Sequence, residues 1–174
     1  MNVFPGSPDY TGLNTPVGEE YDIAALEVEG EIPAEVEGTF FRAVPDPAFP
    51  PFIEDSGAQL SGDGMISAIR FSGGKVSCAM RFVGTARHRA EVAAGRALFG
   101  KYRNVYTDRV EARGIDRTLA NTTPVWHAGR LLLSKEDGRP YRVDPLTLET
   151  LGSYDFSGRL KSQTASAHVR IDPD

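Results

Sequence analysis

The sequence predicts an all-β protein made of short antiparallel strands. Its 18 glycines and 12 prolines favour many turns over long helices. Three predicted β-hairpins have arms at residues 65–71 and 76–83, 123–127 and 130–134, and 140–143 and 147–151. The last two hairpins follow each other and together supply about one four-stranded blade. We therefore predict part of a β-propeller, with a β-sandwich as the alternative.

The first hairpin is the clearest local prediction. Gly73-Gly74 between its arms tolerates the positive φ angles of a tight turn. Cys78 lies on the same face of the second arm as Val76 and Met80, which predicts a buried, unreactive thiol. Because the chain has one cysteine, an internal disulfide is excluded and a reducing cytoplasm is predicted.

Other segments are predicted to be mostly irregular. Residues 45–52 contain four prolines and cannot form a central strand or a helix. Residues 86–99 are the best helix candidate, with Gly95 as a weak point and Gly100 at its end. Its predicted inward-facing residues are Ala90, Ala93, Ala94, Ala97 and Leu98. The remaining predictions are an N-terminal arm at 2–20 and strands at 25–30 and 38–42.

Composition excludes several classes of function. The net charge of −5 argues against a nucleic-acid-binding surface. No apolar run approaches the roughly 20 residues that span a bilayer. The N-terminus also lacks the basic and apolar regions of a signal peptide. The hydrophobic content of 40% is that of an ordinary globular domain.

Segment 161–174 contains His168, our candidate for a metal contact. Val169 and Ile171 alternate with polar neighbours, which predicts a strand entering a turn at 172–174. One imidazole cannot hold a redox metal alone, because such ions take several donors. We therefore expect residues 1–174 to be the front part of a larger enzyme. Its unpaired strand edges predict poor solubility when this part is produced alone.

Short motifs lie in seven segments: residues 38–42, 45–47, 62–65, 121–131, 135–137, 144–150 and 166–168. In their order and spacing across nearly the whole chain, they resemble the carotenoid cleavage oxygenase family. Gln163-Thr164, Tyr102 and Lys135 look most like its bacterial lignostilbene dioxygenase branch.

The resemblance implies a seven-bladed β-propeller with a capping dome. It also implies Fe(II) held by four histidines, with O2 as co-substrate for oxidative cleavage of an alkene into two carbonyl products. Ser166-Ala167-His168 matches the first of these ligands. The other three lie downstream in the family, so residues 1–174 are expected to be the N-terminal portion of one propeller domain and inactive by themselves.

The resemblance also assigns roles to other residues of this chain. Tyr102 and Lys135 match the pair that grips the 4-hydroxyl of a stilbene substrate. Glu136 matches a carboxylate that receives the outer N–H of a metal-bound histidine. Thr122 matches a residue near the open coordination site of the iron.

Two positions depart from the stilbene-cleaving pattern. Leu60 and Ala165 stand where bulkier aromatic side chains are usual. At Leu60, the loss of the ring-on-ring contact is worth roughly 0.5–1.5 kcal/mol. Both changes are expected to widen the substrate tunnel, so an apocarotenoid or another alkene stays open as the substrate.

Three further polar residues are expected to have no metal role. His88 lies between two arginines at a helix start and is expected on a solvated face. His127 is expected to be a hairpin residue. Asp63, between two glycines, is expected to serve a turn. His88, His127 and His168 lie far apart in the sequence and lack the spacing of the ligands of one metal site.

We therefore predict a non-haem Fe(II) dioxygenase that acts on a hydroxystilbene-like phenolic alkene. Its partners would be that small molecule and O2, and the oligomeric state, including a homo-oligomer, stays open. The alternatives are an apocarotenoid-cleaving oxygenase of the same family and a non-catalytic propeller fragment.

Overall fold

The computed structural model describes residues 3–53 and 57–172 and is mostly β. The strands are β1 Tyr21–Ile23, β2 Gly38–Pro45, β3 Gly64–Ser72, β4 Lys75–Phe82, β5 Thr123–His127, β6 Arg130–Ser134, β7 Tyr141–Val143 and β8 Thr150–Ser153. The helices are α1 Gly57–Ser61 and α2 Ala86–Ala94, with 3-10 turns at Pro8–Tyr10, Gly12–Asn14, Val105–Thr107 and Val110–Ala112. No helix in the described ranges is long and apolar enough to cross a membrane.

The first sheet is antiparallel, with the strand order β1-β4-β3-β2. Its β3–β4 hairpin confirms the prediction, since Ser72 pairs with Lys75 across the turn. Gly73 and Gly74 both have positive φ, at 55° and 71°, as a tight hairpin turn requires. Cys78 is half-buried on β4, where a fully buried thiol was expected.

The second sheet is an antiparallel meander with the order β5-β6-β7-β8. The predicted β5–β6 hairpin is confirmed at its residue bounds. The next turn is wider than predicted, so β8 begins at Thr150. The Asp144 carboxylate accepts backbone N–H groups from Leu146 and Thr147 at 2.8 and 2.9 Å. This turn buries Leu148, which was expected in the returning strand.

Both sheets contribute to one hydrophobic core. Hydrogen bonds also connect the two sheets. Gly84 donates its backbone N–H to Oγ1 of Thr150 at 2.8 Å. Arg70 on β3 donates to the carbonyl oxygens of Pro145 and Leu146. These two four-stranded sheets are consistent with propeller blades, while the seven-bladed closure stays a prediction. The core residues are Ile66, Ala68, Ala79, Val83, Ala120, Leu131, Leu133, Tyr141, Val143 and Leu148.

Helix α2 is shorter than the predicted 86–99. It ends because Gly95 adopts the left-handed conformation, with φ 64°, and returns its N–H to the last turn. Its buried residues are Arg87 and Glu91, whereas the predicted inward-facing Ala93 and Ala94 are exposed. The predicted apolar face is wrong within the helix, because a charged pair occupies its buried face. Ala97 and Leu98 are buried as predicted, but they follow the helix.

Two predicted strands are absent from the structure. Residues 25–30 form no strand, although the Leu26 N–H donates to the Val76 carbonyl at 2.8 Å. Residues 168–171 are irregular and exposed, so their alternation reflects no sheet pairing. The predicted turn at 172–174 falls mostly outside the described residues. The proline-rich 45–52 segment is a loop as predicted, after Pro45 ends the edge strand β2.

Candidate active site

Three of the predicted site residues come together beyond the end of β6. The Tyr102 hydroxyl donates a hydrogen bond to Oε1 of Glu136 at 2.8 Å. Nζ of Lys135 lies 3.8 Å from the same oxygen and 5.0 Å from the centroid of the Tyr102 ring. The Lys135 side chain is 4% exposed, whereas that of Glu136 is 43% exposed. The buried ammonium of Lys135 thus lies near the Tyr102 ring and the partly exposed carboxylate of Glu136.

Ser134 positions this cluster, and the sequence analysis did not single it out. Its carbonyl accepts the Thr122 N–H at 3.2 Å, and its hydroxyl donates to the Ala167 carbonyl at 2.9 Å. The residue before Lys135 therefore ties together the segments that carry Thr122 and His168. The sequence signal that could have identified Ser134 is its position as the last residue of the predicted strand 130–134, directly before Lys135.

Tyr102 is held by a loop that closes on itself. The Gly100 N–H donates to Oδ1 of Asp108 at 2.9 Å, and the Lys101 carbonyl accepts from Arg117 at 2.8 Å. A Cβ at Gly100 would lie 2.4 Å from the Thr107 carbonyl oxygen, so this approach requires glycine.

Electrostatics keep Tyr102 protonated and Glu136 ionised. Burial and the hydrogen bond to Glu136 raise the pKa of Tyr102. Desolvation alone would raise the pKa of Glu136. Hydrogen bonds from its own backbone N–H and from Tyr102, with the charge of Lys135, outweigh this and lower that pKa. The hydroxyl proton therefore stays on tyrosine and points at a carboxylate.

A cavity of about 190 Å³ lies beside Tyr102. Arg87, Arg103, Arg117 and Asp137 contribute to its lining. Oδ1 of Asp137 is buried without a hydrogen-bond partner among the described residues. Desolvation raises the pKa of Asp137 to about 6, although the positive charge of Lys135 opposes this. The sequence analysis did not identify this residue, because its desolvation depends on packing.

His88 and Asp63 are not where the sequence analysis placed them. His88 stacks on Phe82 with ring centroids 4.7 Å apart, and its side chain is 12% exposed. Its Nδ1 lies 3.7 Å from Oδ1 of Asp63, which is buried and also lies 4.0 Å from Arg87. Desolvation opposes ionisation of Asp63, but His88 and Arg87 hold its pKa below the ordinary value. Asp63 therefore belongs to a buried charge network.

Glu91 completes this network on α2. It pairs with Arg87 at 3.4 Å and accepts the backbone N–H groups of Leu98 and Phe99 at 2.8 and 3.1 Å. Burial raises the pKa of Glu91 despite these contacts. The network fixes Arg87, whose guanidinium stacks 5.0 Å over the Phe99 ring and faces the cavity beside Tyr102.

The segment that carries His168 lies along the β6–β7 turn. The Ala165 N–H donates to the Gly138 carbonyl at 3.0 Å, and the His168 N–H donates to the Ser166 hydroxyl at 3.3 Å. His168 itself is exposed. Ala165 and Val169 also line an apolar cavity of about 280 Å³. His127, confirmed as a hairpin residue at the end of β5, lines the same cavity.

Leu60 and Thr122 lie outside the Tyr102–Lys135–Glu136 cluster. Leu60 is on α1, 43% exposed. Thr122 donates its hydroxyl to Asn121 at 3.1 Å, and the Asn121 amide donates to the Gly62 carbonyl at 2.8 Å. These bonds place Thr122 near the loop that follows α1. Their predicted substrate-lining roles stay predictions.

A metal ion would find one suitable donor here. His168 can present a neutral ring nitrogen, which suits iron. Within residues 3–53 and 57–172, no three His, Cys, Asp or Glu side chains come together to hold a metal ion. The imidazole of His168 has the chemistry of an iron ligand, and its assignment as a ligand stays a prediction. Glu136 contacts Tyr102 and Lys135. Its predicted role as acceptor for the N–H of a histidine ligand stays a prediction.

Comparison with known proteins shows the family to which this chain belongs. Residues 14–174 match the family described as retinal pigment epithelial membrane protein. The chain belongs to this family, that of the carotenoid cleavage oxygenases, as its motifs predicted.

Several relatives are similar to this chain in sequence or in structure. Lignostilbene-alpha,beta-dioxygenase isozyme III of Sphingomonas paucimobilis is 48% identical over 99% of the chain and 35% of its own length. Resveratrol cleavage oxygenase 1 of Chaetomium globosum is 46% identical over 98% of the chain and 28% of its own length. The crystal structure of Pseudomonas brassicacearum lignostilbene dioxygenase superposes with a TM-score of 0.94 at 41% identity, covering 99% of this chain and 36% of that one. The chain thus spans about a third of the length of its relatives.

Proposed function

We propose that this chain forms the phenol-recognising part of a non-haem Fe(II) dioxygenase that cleaves the alkene of a hydroxystilbene-like substrate. The observation that carries the proposal is the cluster of Tyr102, Lys135 and Glu136. The names of relatives at 46–48% identity, a lignostilbene dioxygenase and a resveratrol cleavage oxygenase, support the same substrate class.

The cluster suits one end of a phenolic alkene. A phenol hydroxyl both donates and accepts hydrogen bonds. The buried Lys135 ammonium supplies donors, and ion-assisted hydrogen bonds are about twice as strong as neutral ones. Lys135 would also stabilise negative charge that develops on the phenol oxygen as the ring pushes electron density into the alkene.

His168 would supply one neutral ligand of the iron. When bound, Fe²⁺ would supply the activation of O2 that converts the alkene and one O2 into two carbonyl products. The contribution of the described residues is to hold the phenol end in place. Holding reacting groups in a productive geometry is itself a large catalytic effect.

Replacing Lys135 by methionine tests the proposal. In the iron-loaded enzyme that contains this chain, Lys135→Met should lower kcat/KM for a 4-hydroxystilbene by roughly tenfold to a hundredfold, because a hydrogen bond to a charged group is lost. The 4-methoxy analogue should be affected much less. Lys75→Met, at an exposed lysine that begins β4, is the matched control and should change neither rate.

An apocarotenoid is the second candidate substrate. The observation in its favour is Leu60, which replaces the usual aromatic ring and is exposed on α1. Product analysis with a hydroxystilbene, its methyl ether and an apocarotenal separates the two. Preferential cleavage of the apocarotenal, unaffected by Lys135→Met, would overturn the stilbene assignment and leave the oxygenase proposal standing.

A further inference from the structure

Arg87 on α2 contacts two segments that lie far apart in the sequence. Its guanidinium donates to the Ser61 carbonyl at 3.2 Å, at the end of α1, and lies 5.0 Å over the Phe99 ring. We propose that Arg87 is a positioning residue that couples the α1 segment, residues 57–63, to the Tyr102 segment, residues 98–102. The two segments then keep one spacing and move together. For its effect on substrate choice, the inference rests on the proposed function.

The α1 segment is held at its carboxyl end. Besides the bond to the Ser61 carbonyl, Nε of Arg87 lies 4.0 Å from Oδ1 of Asp63. Nδ1 of His88 lies 3.7 Å from the same oxygen. Asp63 is buried, so solvent screens these charges little. Leu60 directly precedes Ser61, so a displacement of Arg87 is passed on to Leu60 through one peptide unit.

The Tyr102 segment is held through Glu91. The Glu91 carboxylate pairs with Nε of Arg87 at 3.4 Å, and both side chains are buried. It also accepts the backbone N–H groups of Leu98 and Phe99 at 2.8 and 3.1 Å. Because Phe99 lies three positions before Tyr102, this ion pair fixes the backbone from which Tyr102 extends.

The space between the two segments is too tightly packed to absorb a shift. A cavity of about 20 Å³ remains there, with Ser61 and Phe99 in its lining, and it has room for about one water molecule. A Cβ at Gly100 would lie 2.4 Å from the Thr107 carbonyl oxygen, so the backbone beside Phe99 has no space to relax. Densely packed groups transmit displacement, and a change at Arg87 therefore reaches both segments.

A guanidinium suits this task better than an ammonium. It is planar, with five N–H donors and a flat face that stacks on aromatic rings. In Arg87 it serves the Ser61 carbonyl, the Glu91 carboxylate and the Phe99 ring at once. Arg87→Lys keeps the charge but replaces the fork by a point donor, so it separates the coupling from the charge.

The coupling would set the width of the substrate site. Leu60 and Tyr102 are predicted substrate contacts on the two segments, and one spacing between them suits one width of ligand. A hydroxystilbene is planar and narrow, whereas an apocarotenal carries methyl branches along its chain. Loss of the coupling should therefore lower the preference for the stilbene.

Amide hydrogen exchange in the enzyme that contains this chain tests the coupling without a substrate. One reporter is the Leu98 N–H, which Glu91 accepts on the Tyr102 side. The other is the Ala48 N–H, which Oδ2 of Asp63 accepts at 3.1 Å on the α1 side. Each reporter is thus held by one of the two carboxylates that face Arg87.

In Arg87→Lys both reporters should exchange roughly tenfold faster, because a hydrogen bond between charged groups is lost. The Tyr154 N–H, bonded to the Pro140 carbonyl at 2.8 Å, is the internal reference and should not change. Arg96→Lys is the matched control, because Arg96 is half exposed and pairs with Glu111 instead. It should leave all three rates unchanged.

A second arm needs no variant and stays decisive if Arg87→Lys fails to fold. In the unmodified enzyme both reporters should exchange through one shared opening of the structure. Their exchange rates should therefore rise with denaturant at the same slope, since that slope reports the surface that an opening exposes.

Substrate choice is measured with the iron-loaded enzyme, 4-hydroxystilbene and an apocarotenal. The ratio of kcat/KM for the stilbene to that for the apocarotenal should fall roughly tenfold in Arg87→Lys and stay unchanged in Arg96→Lys. A merely structural role of Arg87 would lower both values alike and leave the ratio as it is.

The outcomes separate this inference from the proposed function. Faster exchange at one reporter alone, or different slopes in the unmodified enzyme, would overturn the coupling. An unchanged kcat/KM ratio in Arg87→Lys would overturn its effect on substrate choice. If the unmodified enzyme cleaves neither substrate, the proposed function fails, while the exchange measurements still decide the coupling.

Discussion

Asp137 shows how one desolvated residue can make stability depend on pH. Its Oδ1 is buried without a hydrogen-bond partner in the described part of the chain, and burial raises its pKa from 3.8 to about 6. Lys135, Glu136 and Arg87 are the charged groups that act on it. A carboxyl whose pKa rises on folding binds its proton more tightly in the folded state. It therefore destabilises the fold as pH rises between these two values.

Asp137→Asn should remove this pH dependence. Between pH 4 and pH 7 the unmodified protein should lose on the order of 2 kcal/mol through this carboxyl, and the variant should not. Denaturant unfolding at a series of pH values measures the difference. Asp144→Asn is the control of opposite sign. Hydrogen bonds from Thr147 and Leu146 lower the pKa of Asp144, so that variant should lose a contribution that is present at high pH. A parallel loss of stability in the unmodified protein and Asp137→Asn would contradict the assignment.

The β6–β7 turn is the element on which the candidate site depends. It carries Lys135, Glu136 and Asp137, and Gly138 closes it against Thr118. A Cβ at Gly138 would lie 1.6 Å from Oγ1 of Thr118. That threonine is buried and held by Asp116 at 2.7 Å, so it cannot move aside easily.

Gly138→Ala should therefore lower the free energy of unfolding by roughly 1–3 kcal/mol, as overpacking in a core does. It should also weaken hydroxystilbene binding, because the turn that carries Lys135 must shift. Gly6→Ala is the matched control, since a Cβ there meets nothing within 4 Å. Adding Thr118→Ala should recover part of the loss. Unchanged stability in Gly138→Ala would show that the turn is less tightly packed than the structure indicates.

At the scale of the whole molecule, the proposal depends on the assembly of an iron site that needs donors besides His168. His168→Ala in the iron-loaded enzyme should lower the metal content well below one iron per chain, because a coordination bond is lost. His127→Ala, at the end of β5, should retain iron. Elemental analysis measures both without reference to activity. Stoichiometric iron in His168→Ala would remove this residue from the ligand set.

Local signals were sufficient for much of the fold. The β3–β4 turn follows from Gly73 and Gly74, which tolerate positive φ. In the β5–β6 turn Gly129 does the same, whereas Ala128 adopts φ 46°, which a residue with a Cβ disfavours. The sequence also contained the signal for the end of the helix, because glycine is the usual residue at a helix C-terminus, but the predicted helix extended past Gly95. The strand predicted at 168–171 failed because alternation alone does not supply a neighbouring strand with which to pair.

For this protein the sequence by itself determined the hairpins, the family and the identities of Tyr102, Lys135 and Glu136. Only the tertiary structure decided how they act together. Tyr102 and Glu136 are 34 positions apart, and their hydrogen bond forms because the folded chain brings the Tyr102 loop against the end of β6. Burial of Asp137 and the charge network around Arg87 likewise depend on which groups packing removes from water, and no local pattern encodes that.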